Sequence, residues 1–285
     1  MTIFDETYTL TGGTPIPKLG LGTWFIDDDK AAEAVRAAVE IGYRNIDTAQ
    51  AYGNELGVGE GVRSASVPRE ELFVSTKLAA EIKDYEGAVA AIDKSLETMG
   101  LDYVDLMLIH SPQPWDEFRE GDYSEGNRQA WKALEEAHAA DKIRTIGVSN
   151  FLESDVDALL ETAEVTPHVN QLLVHAGNTP TSLLSYCSDK GILVEAYSPI
   201  AHGEILDNAD VQAMAEKYEV TVPQLCIRYT LQLGTVSLPK TANPEHMRSN
   251  AEVDFVISDE DMTALRSLDD RDYGGSAAFP VYSGK

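Results

Sequence analysis

Short apolar runs alternate with amphipathic helical segments along almost the whole chain, and this alternation constrains the fold more than any other feature. Strands are expected near 43–47, 72–77, 104–110, 143–148, 168–171, 192–197 and 235–238, with residues 18–22 as the first. Helices are expected over 28–41 and near 55–65, 84–99, 126–140, 152–162, 180–189, 221–233 and 244–252, with extra ones near 209–218 and 258–267. In the segment 28–41, Ala31, Ala34, Val35, Ala38 and Val39 share one face, and acids open its first turn. Uninterrupted strand–helix alternation implies a parallel sheet, because each helix carries the chain back to the starting edge. Eight such units in 285 residues fit a closed (β/α)8 TIM barrel better than an open doubly wound sheet. Residues 8–19 add an N-terminal β-hairpin turning at Gly12-Gly13. With no linker or low-complexity tract, residues 1–285 are expected to form a single domain.

Several function classes are excluded. A first strand followed by G-x-G-x-x-G, or a phosphate-binding loop of the Walker type, is missing. Gly57, Gly59 and Gly61 have the wrong spacing and lie in a helical segment, where close helix packing is the plainer explanation. The formal net charge is −26, with 48 acids against 22 basic residues, which argues against nucleic-acid binding. The acids are spread along amphipathic segments and read as a solvated surface suited to molar salt, where the Debye length falls to about 3 Å. A halophilic source is expected. No apolar run approaches the roughly 20 residues that span a bilayer, and the start Met-Thr-Ile-Phe-Asp-Glu has no signal-peptide pattern. A cytoplasmic protein with no membrane partner is expected. Cys187 and Cys226 lie in separate helices without a metal-binding spacing, so they are expected as buried apolar side chains.

Chemistry gathers where strands end. Asp47 closes the second strand, Lys77 the third and His110 the fourth, and Tyr52 follows on the loop above the second. In a (β/α)8 barrel these positions are neighbours on the C-terminal rim, where catalytic groups sit. A lysine and an aspartate in a dry pocket would pair, since an unpaired buried charge is costly. The ammonium would then lie near the phenol. At about 4 Å and an effective dielectric of about 20 it would favour the phenolate by about 4 kcal/mol, about three pKa units. Tyr52 is therefore expected as a general acid with a lowered pKa, and His110 as the donor that orients a substrate oxygen.

These residues stand in a series of motifs: Gly22-Thr23-Trp24, Asp47-Thr-Ala-Gln-Ala-Tyr52-Gly-Asn-Glu55, Ser75-Thr76-Lys77, Leu101-Asp102-Tyr103-Val104-Asp105-Leu106 with His110, and Ile146-Gly-Val-Ser-Asn-Phe151. Asn170-Gln171, Ala196-Tyr197-Ser198-Pro199 and Leu238-Pro239-Lys240-Thr241 complete it. In this order and spacing the chain resembles an aldo-keto reductase over essentially its whole length, and within that family the short prokaryotic enzymes of the diketogluconate-reductase type. The resemblance implies reduction of a small-molecule aldehyde or ketone by hydride from NADPH, with NADH possible. It implies Tyr52 as acid, Asp47 and Lys77 tuning it, and His110 orienting the carbonyl. It places Ser149, Asn150 and Gln171 on the carboxamide, Tyr197 on the nicotinamide ring, and Ser198 and Pro199 along the pyrophosphate. Gly22, Thr23 and Leu238 would line the same cofactor site, with Lys240 and Thr241 at the 2′-phosphate and Asn250 at the adenine. Trp24, Ser111 and Trp115 join Tyr52 and His110 as the expected substrate contacts, and a monomer is expected.

The departures from the family pattern carry their own expectations. His246 stands where the family has a phosphate-binding arginine and Ser249 where it has a glutamate, so the preference for NADPH should be modest. Ser111 replaces the usual tryptophan after the catalytic histidine, and Leu172-Leu173-Val174-His175 replaces the usual pattern after Gln171. Few residues follow Asp269, so the C-terminal substrate loop of larger relatives is short and broad substrate choice is expected. Two other readings use the same residues: a Schiff-base barrel enzyme with Lys77 as nucleophile, and a non-enzymatic nucleotide-binding relative.

Overall fold

The structure is a computed structural model and describes residues 2–283. Strands β1 (Thr7–Thr9) and β2 (Pro15–Pro17) pair antiparallel as the hairpin, with Gly12 and Gly13 supplying its left-handed backbone (φ 93° and 95°). Strands β3 (Gly20–Gly22), β4 (Asn45–Asp47), β5 (Phe73–Leu78), β6 (Val104–Ile109), β7 (Ile143–Ser149), β8 (Val169–Leu173), β9 (Leu193–Tyr197) and β10 (Val236–Leu238) form one eight-stranded sheet in sequential order, all pairs parallel. Its ends meet where Gly22 N donates to Pro239 O at 3.0 Å and Ser237 N to Lys18 O at 2.8 Å. The sheet is thus the TIM barrel that the alternation predicts.

The helices are α1 (Asp28–Ile41), α2 (Glu55–Arg63), α3 (Tyr85–Met99), α4 (Ser124–Ala139), α5 (Glu153–Leu160), α6 (Thr181–Asp189), α7 (Ala209–Lys217), α8 (Val222–Gln232), α9 (Pro244–Ala251) and α10 (Asp259–Ser267). Their starts follow local chemistry. Asp84 accepts from Gly87 N at 2.7 Å to cap α3, and Thr221 and Gln224 form a capping box at α8, whose first turn contains Pro223. The glycines of α2 serve close packing. A Cβ on Gly57 would lie 2.1 Å from Asp28 O, and one on Gly59 would lie 2.1 Å from Met99 O.

Period-2 alternation sorts the strand side chains. Ile46, Val74, Met107, Ile146, Val148 and Val194 face the helices in the larger core. Phe73, Leu106, Leu108, Val169, Val236 and Leu238 point inward and pack with Leu10 and Ile16 of the hairpin, which plugs the N-terminal end. Other inward positions are polar: Asn45, Asp47, Ser75, Lys77, Gln171 and Glu195 are all buried. This polar section lies beneath the rim. Cys187 and Cys226 are free and buried, and burial pushes their thiols up to about 11 and about 12.

Candidate active site

The run from Asp47 to Glu55 is built by its own side chains. Tyr52 stands on a one-turn 3-10 helix, Gln50–Tyr52, rather than on an irregular loop, and Tyr52 N donates to Ala49 O at 3.0 Å. Gln50 pins this turn: its Nε2 donates to Ala91 O (3.0 Å) and Ser95 Oγ (2.9 Å), and its oxygen accepts from Ala79 N (2.8 Å). Asn54 donates to Thr23 O and Ile26 O and accepts from Thr48 Oγ1 at 2.7 Å. Glu55 accepts from Thr76 Oγ1 at 2.6 Å. The turn that carries Tyr52 is thereby tied to β5, α3 and the loop after β3.

Asp47, Tyr52, Lys77 and His110 converge at the rim. Lys77 is fully buried, and its Nζ donates to both oxygens of Asp47 and to Thr48 O, each at 2.8 Å, and lies 3.3 Å from the Tyr52 hydroxyl. The Tyr52 and His110 rings meet edge to face at 5.6 Å. Trp115 closes on the other side of His110 at 5.0 Å, beside the small Ser111.

The electrostatics correct one expectation. The Tyr52 pKa is raised, not lowered: burial outweighs the favourable charge of Lys77, and Asp47 adds to the rise. The simple Coulomb estimate omitted the desolvation of the phenolate and the share of the ammonium already taken by Asp47. Lys77 is itself raised, because Asp47 and Tyr52 more than offset its burial. His110 is held well below the usual imidazole value, by burial first and then by Lys77 and Lys83, so its ring is neutral at pH 7.

Two adjoining cavities share Trp24, Tyr52 and Tyr197. One, of about 290 Å³, has His110 and Trp115 in its wall together with Ser149, Asn150 and Gln171. The other, of about 230 Å³, is lined by Gly22, Thr23, Ser198, Pro199, Leu238 and Lys240. Ser149 Oγ donates to Gln171 O at 2.9 Å, Asn150 Nδ2 to His110 O at 3.1 Å, and the Tyr197 hydroxyl to Asn150 Oδ1 at 2.8 Å. Ser198, Ala201 and His202 hold left-handed backbone (φ 50°, 47° and 56°), which non-glycine residues keep only where the surroundings enforce it. Among the described residues Lys240 has no ion-pair partner, and burial lowers its pKa. A groove running from the tetrad to an unpaired cation fits a nicotinamide dinucleotide with its phosphates near Lys240.

Other expected site residues lie elsewhere. Ser111 lines neither cavity: it is fully buried, its Oγ accepts from Gln113 N and its carbonyl from Lys83 Nζ at 2.7 Å. Thr241, His246 and Asn250 also fall outside both linings, and His246 is exposed on the first turns of α9. The C-terminal stretch departs most from expectation. Though short, it returns to the mouth, where Phe279, Pro280, Val281 and Tyr282 line the larger cavity. The Tyr282 ring lies parallel to Trp24 at 6.2 Å, and its hydroxyl meets Ser198 Oγ at 2.6 Å. An aromatic, apolar end on so acidic a chain was the available signal for this docking. Glu195 was missed as well, because one acid inside a strand reads as a solvent-facing position until the barrel closes.

Comparison with known proteins agrees with this geometry. The model of the Aldo/keto reductase family matches residues 18–270. The glyoxal reductase of Bacillus subtilis (strain 168) is 41% identical over 269 residues, 94% of either chain. The crystal structure of an aldo/keto reductase from Brucella melitensis superposes with a TM-score of 0.86 at 35% identity, covering 93% of this chain and 99% of its own. A Bombyx mori aldo-keto reductase in complex with NADP superposes with a TM-score of 0.85 at 32% identity, covering 97% and 98%.

Proposed function

The chain belongs to the aldo/keto reductase family and reduces carbonyl compounds with NAD(P)H, and we propose that Tyr52 delivers the proton. The observation that carries this assignment is the Lys77 ammonium, clamped by Asp47 and Thr48 with the Tyr52 hydroxyl 3.3 Å away. Because its pKa is raised, Tyr52 holds its proton across the neutral range and is loaded as a donor. As negative charge grows on the substrate oxygen, the O–H bond of Tyr52 transfers its proton and Lys77 stabilises the phenolate left behind. Neutral His110 donates an N–H to the same oxygen and sets its direction. A bound nicotinamide dinucleotide supplies the hydride; Ser149, Asn150, Gln171 and Tyr197 would hold its nicotinamide end and Lys240 its phosphates. A Schiff base on Lys77 requires a neutral amine, and the clamp with its raised pKa keeps this one charged.

The Tyr52→Phe variant tests the role. It should lose about 10²–10⁴-fold in kcat for carbonyl reduction while binding NADPH close to normally. Retention of most of kcat would sink the assignment.

We further assign the chain to the short prokaryotic reductases of the diketogluconate-reductase type, acting as a single-domain cytoplasmic monomer. Among the described residues no helix is long and apolar enough to cross a membrane. Small aldehydes, including dicarbonyls such as the glyoxal named for the Bacillus relative, suit a cavity of about 290 Å³ walled by Trp24, Trp115, Phe279 and Tyr282. NADPH is preferred modestly, through Lys240 as a point charge beside the N-terminus of α9. A halophilic origin rests on the net charge of −26.

A further inference from the structure

Glu195 on β9 is a titratable side chain inside the barrel that the proton-transfer scheme leaves idle. It is fully buried, with Leu193 and Tyr197 two residues to either side on the same inward face. Its Oε2 accepts from Gln171 Nε2 at 2.9 Å, and the same nitrogen donates to Asp47 Oδ1 at 2.9 Å. Both hydrogens of the Gln171 amide thus go to carboxyl groups, and its oxygen is what remains for the cavity that Gln171 lines. Among the described residues Glu195 Oε1 and Asn45 Oδ1 are buried acceptors without a hydrogen-bond partner; Asn45 lies close enough to Glu195 for a side-chain hydrogen bond, one that favours the ionised carboxylate. Buried acceptors left unpaired are costly. A proton on Glu195 Oε1 removes the charge from that unpaired oxygen.

Charge balance leads the same way. Asp47 and Lys77 neutralise each other, so an ionised Glu195 would leave one uncompensated negative charge in a dry interior. The charged groups facing Glu195 are Asp47 on β4 and Lys77 on β5; the neighbouring strands β8 and β10 contribute Gln171 and Val236 opposite it, neither of them titratable. Burial, and then Asp47, push the Glu195 carboxyl up to about 7, outweighing the hydrogen bonds from Gln171 and Asn45 and the charge of Lys77, which act the other way.

We propose that Glu195 is a positioning residue: protonated at rest, it aims the Gln171 amide at the nicotinamide cavity, and once ionised it competes with the Tyr52 phenolate for the charge of Lys77 and slows proton donation. The step is a plain acid ionisation, in which the Glu195 O–H bond breaks and the proton leaves to water. The rate effect rests on the assignment of Tyr52 as proton donor; the protonation state of Glu195 does not.

Two measurements decide it. Infrared spectra of the wild type should contain a protonated-carboxyl band at about pH 6 that titrates away near neutrality, long after ordinary carboxylates with pKa values of about 4 have ionised. The band should vanish in Glu195→Gln and survive in Glu55→Gln, whose parent residue is the other buried glutamate with a raised pKa. If Glu195→Gln fails to fold, survival of the band in both Glu55→Gln and Asp155→Asn, which remove the other carboxyls with raised pKa values among the described residues, assigns it to Glu195. In kinetics, Glu195→Gln can still accept from Gln171, as the neutral acid does, but cannot ionise. A unit charge acting over about 10 Å at an effective dielectric of about 20 moves a pKa by about one unit, or about tenfold. The wild type and Glu195→Gln should therefore reduce a carbonyl at similar kcat at about pH 6, and the variant should be up to about tenfold faster at about pH 8.5. A wild type without the band, or one whose band survives in Glu195→Gln, overturns the protonated state. Parallel pH profiles in the two proteins overturn the coupling to Tyr52. Should Tyr52→Phe keep its activity, the proton-donor role falls on its own, and the infrared band still reports on Glu195.

Discussion

Lys77 has no exposed surface, yet it is charged, and a charge there persists only because Asp47 and Thr48 surround it. Removing either partner of such a pair leaves a buried charge uncompensated, at a cost of about 3–5 kcal/mol. This section of the barrel is therefore held at some expense of stability. Cofactor choice is also a matter of single residues. Among the described residues Lys240 has no ion-pair partner, but the exposed His246 on α9 has no planar fork for a 2′-phosphate. Arginine there would restore a charge-assisted pair of roughly 1.5–3 kcal/mol. His246→Arg should tighten NADPH binding about ten- to a hundredfold and leave NADH nearly unchanged, as dissociation constants for both cofactors will report. An unchanged NADPH/NADH ratio would mean that position 246 faces away from the phosphate. The four rim residues were legible in the sequence because each stands at or just beyond a strand end, a position the alternation locates to within a residue or two. Glu195 was not, since its neighbours Val194 and Ala196 allow either face.

Between elements, the loop after β8 is joined to the C-terminal segment through His175. Gly177 N donates to its Nδ1 at 3.0 Å, so the ring proton sits on Nε2, which meets the Tyr273 hydroxyl at 2.9 Å. Protonating Nδ1 would set two donors against each other, and burial lowers this pKa from 6.5 to about 4. Between those values the unfolded chain binds more protons than the native one, so stability falls as pH falls from about 6.5 to about 4, by about 3 kcal/mol in all. Burial lowers His110 and His168 as well, and both act in the same direction. Denaturant melts at about pH 7 and about pH 4.5 should show His175→Gln losing less stability on acidification than the wild type. Equal losses would show that His175 stays neutral at no cost. Helix and strand bounds were legible to within a few residues because caps and glycines mark them. The return of Phe279 and Tyr282 to the mouth was not, because few local rules govern a terminal segment and its partner Trp24 lies at the other end of the chain.

For the whole molecule, the net charge of −26 dominates. Most ion pairs lie at the surface, where each contributes about 0–1 kcal/mol, too little to offset repulsion summed over so many acids. The buried pair Lys77–Asp47 and the half-buried pair Arg69–Asp105 are exceptions, and salt screens them less. Added salt should therefore relieve repulsion more than it weakens cohesion. The melting temperature should rise as salt goes from about 0.1 M to about 3 M, by scanning calorimetry or circular dichroism, and a flat or falling curve would remove the halophilic reading.

The sequence alone determined the barrel, its hairpin and extra helices, and the residue types at the rim, because period-2 and period-3.6 patterns and strand-end positions are local properties that closure only assembles. Tertiary structure decided everything that depends on summed burial and on which side chains share a volume. It raised Tyr52 instead of lowering it, since desolvation exceeded one cation's attraction. It set Trp115 against His110 and moved Ser111 out of the cavity wall. It brought Glu195, 148 positions from Asp47 along the chain, to the far side of a shared amide. Strand periodicity assigns a side chain to a face of the sheet, but only the closed barrel shows what lies across from it.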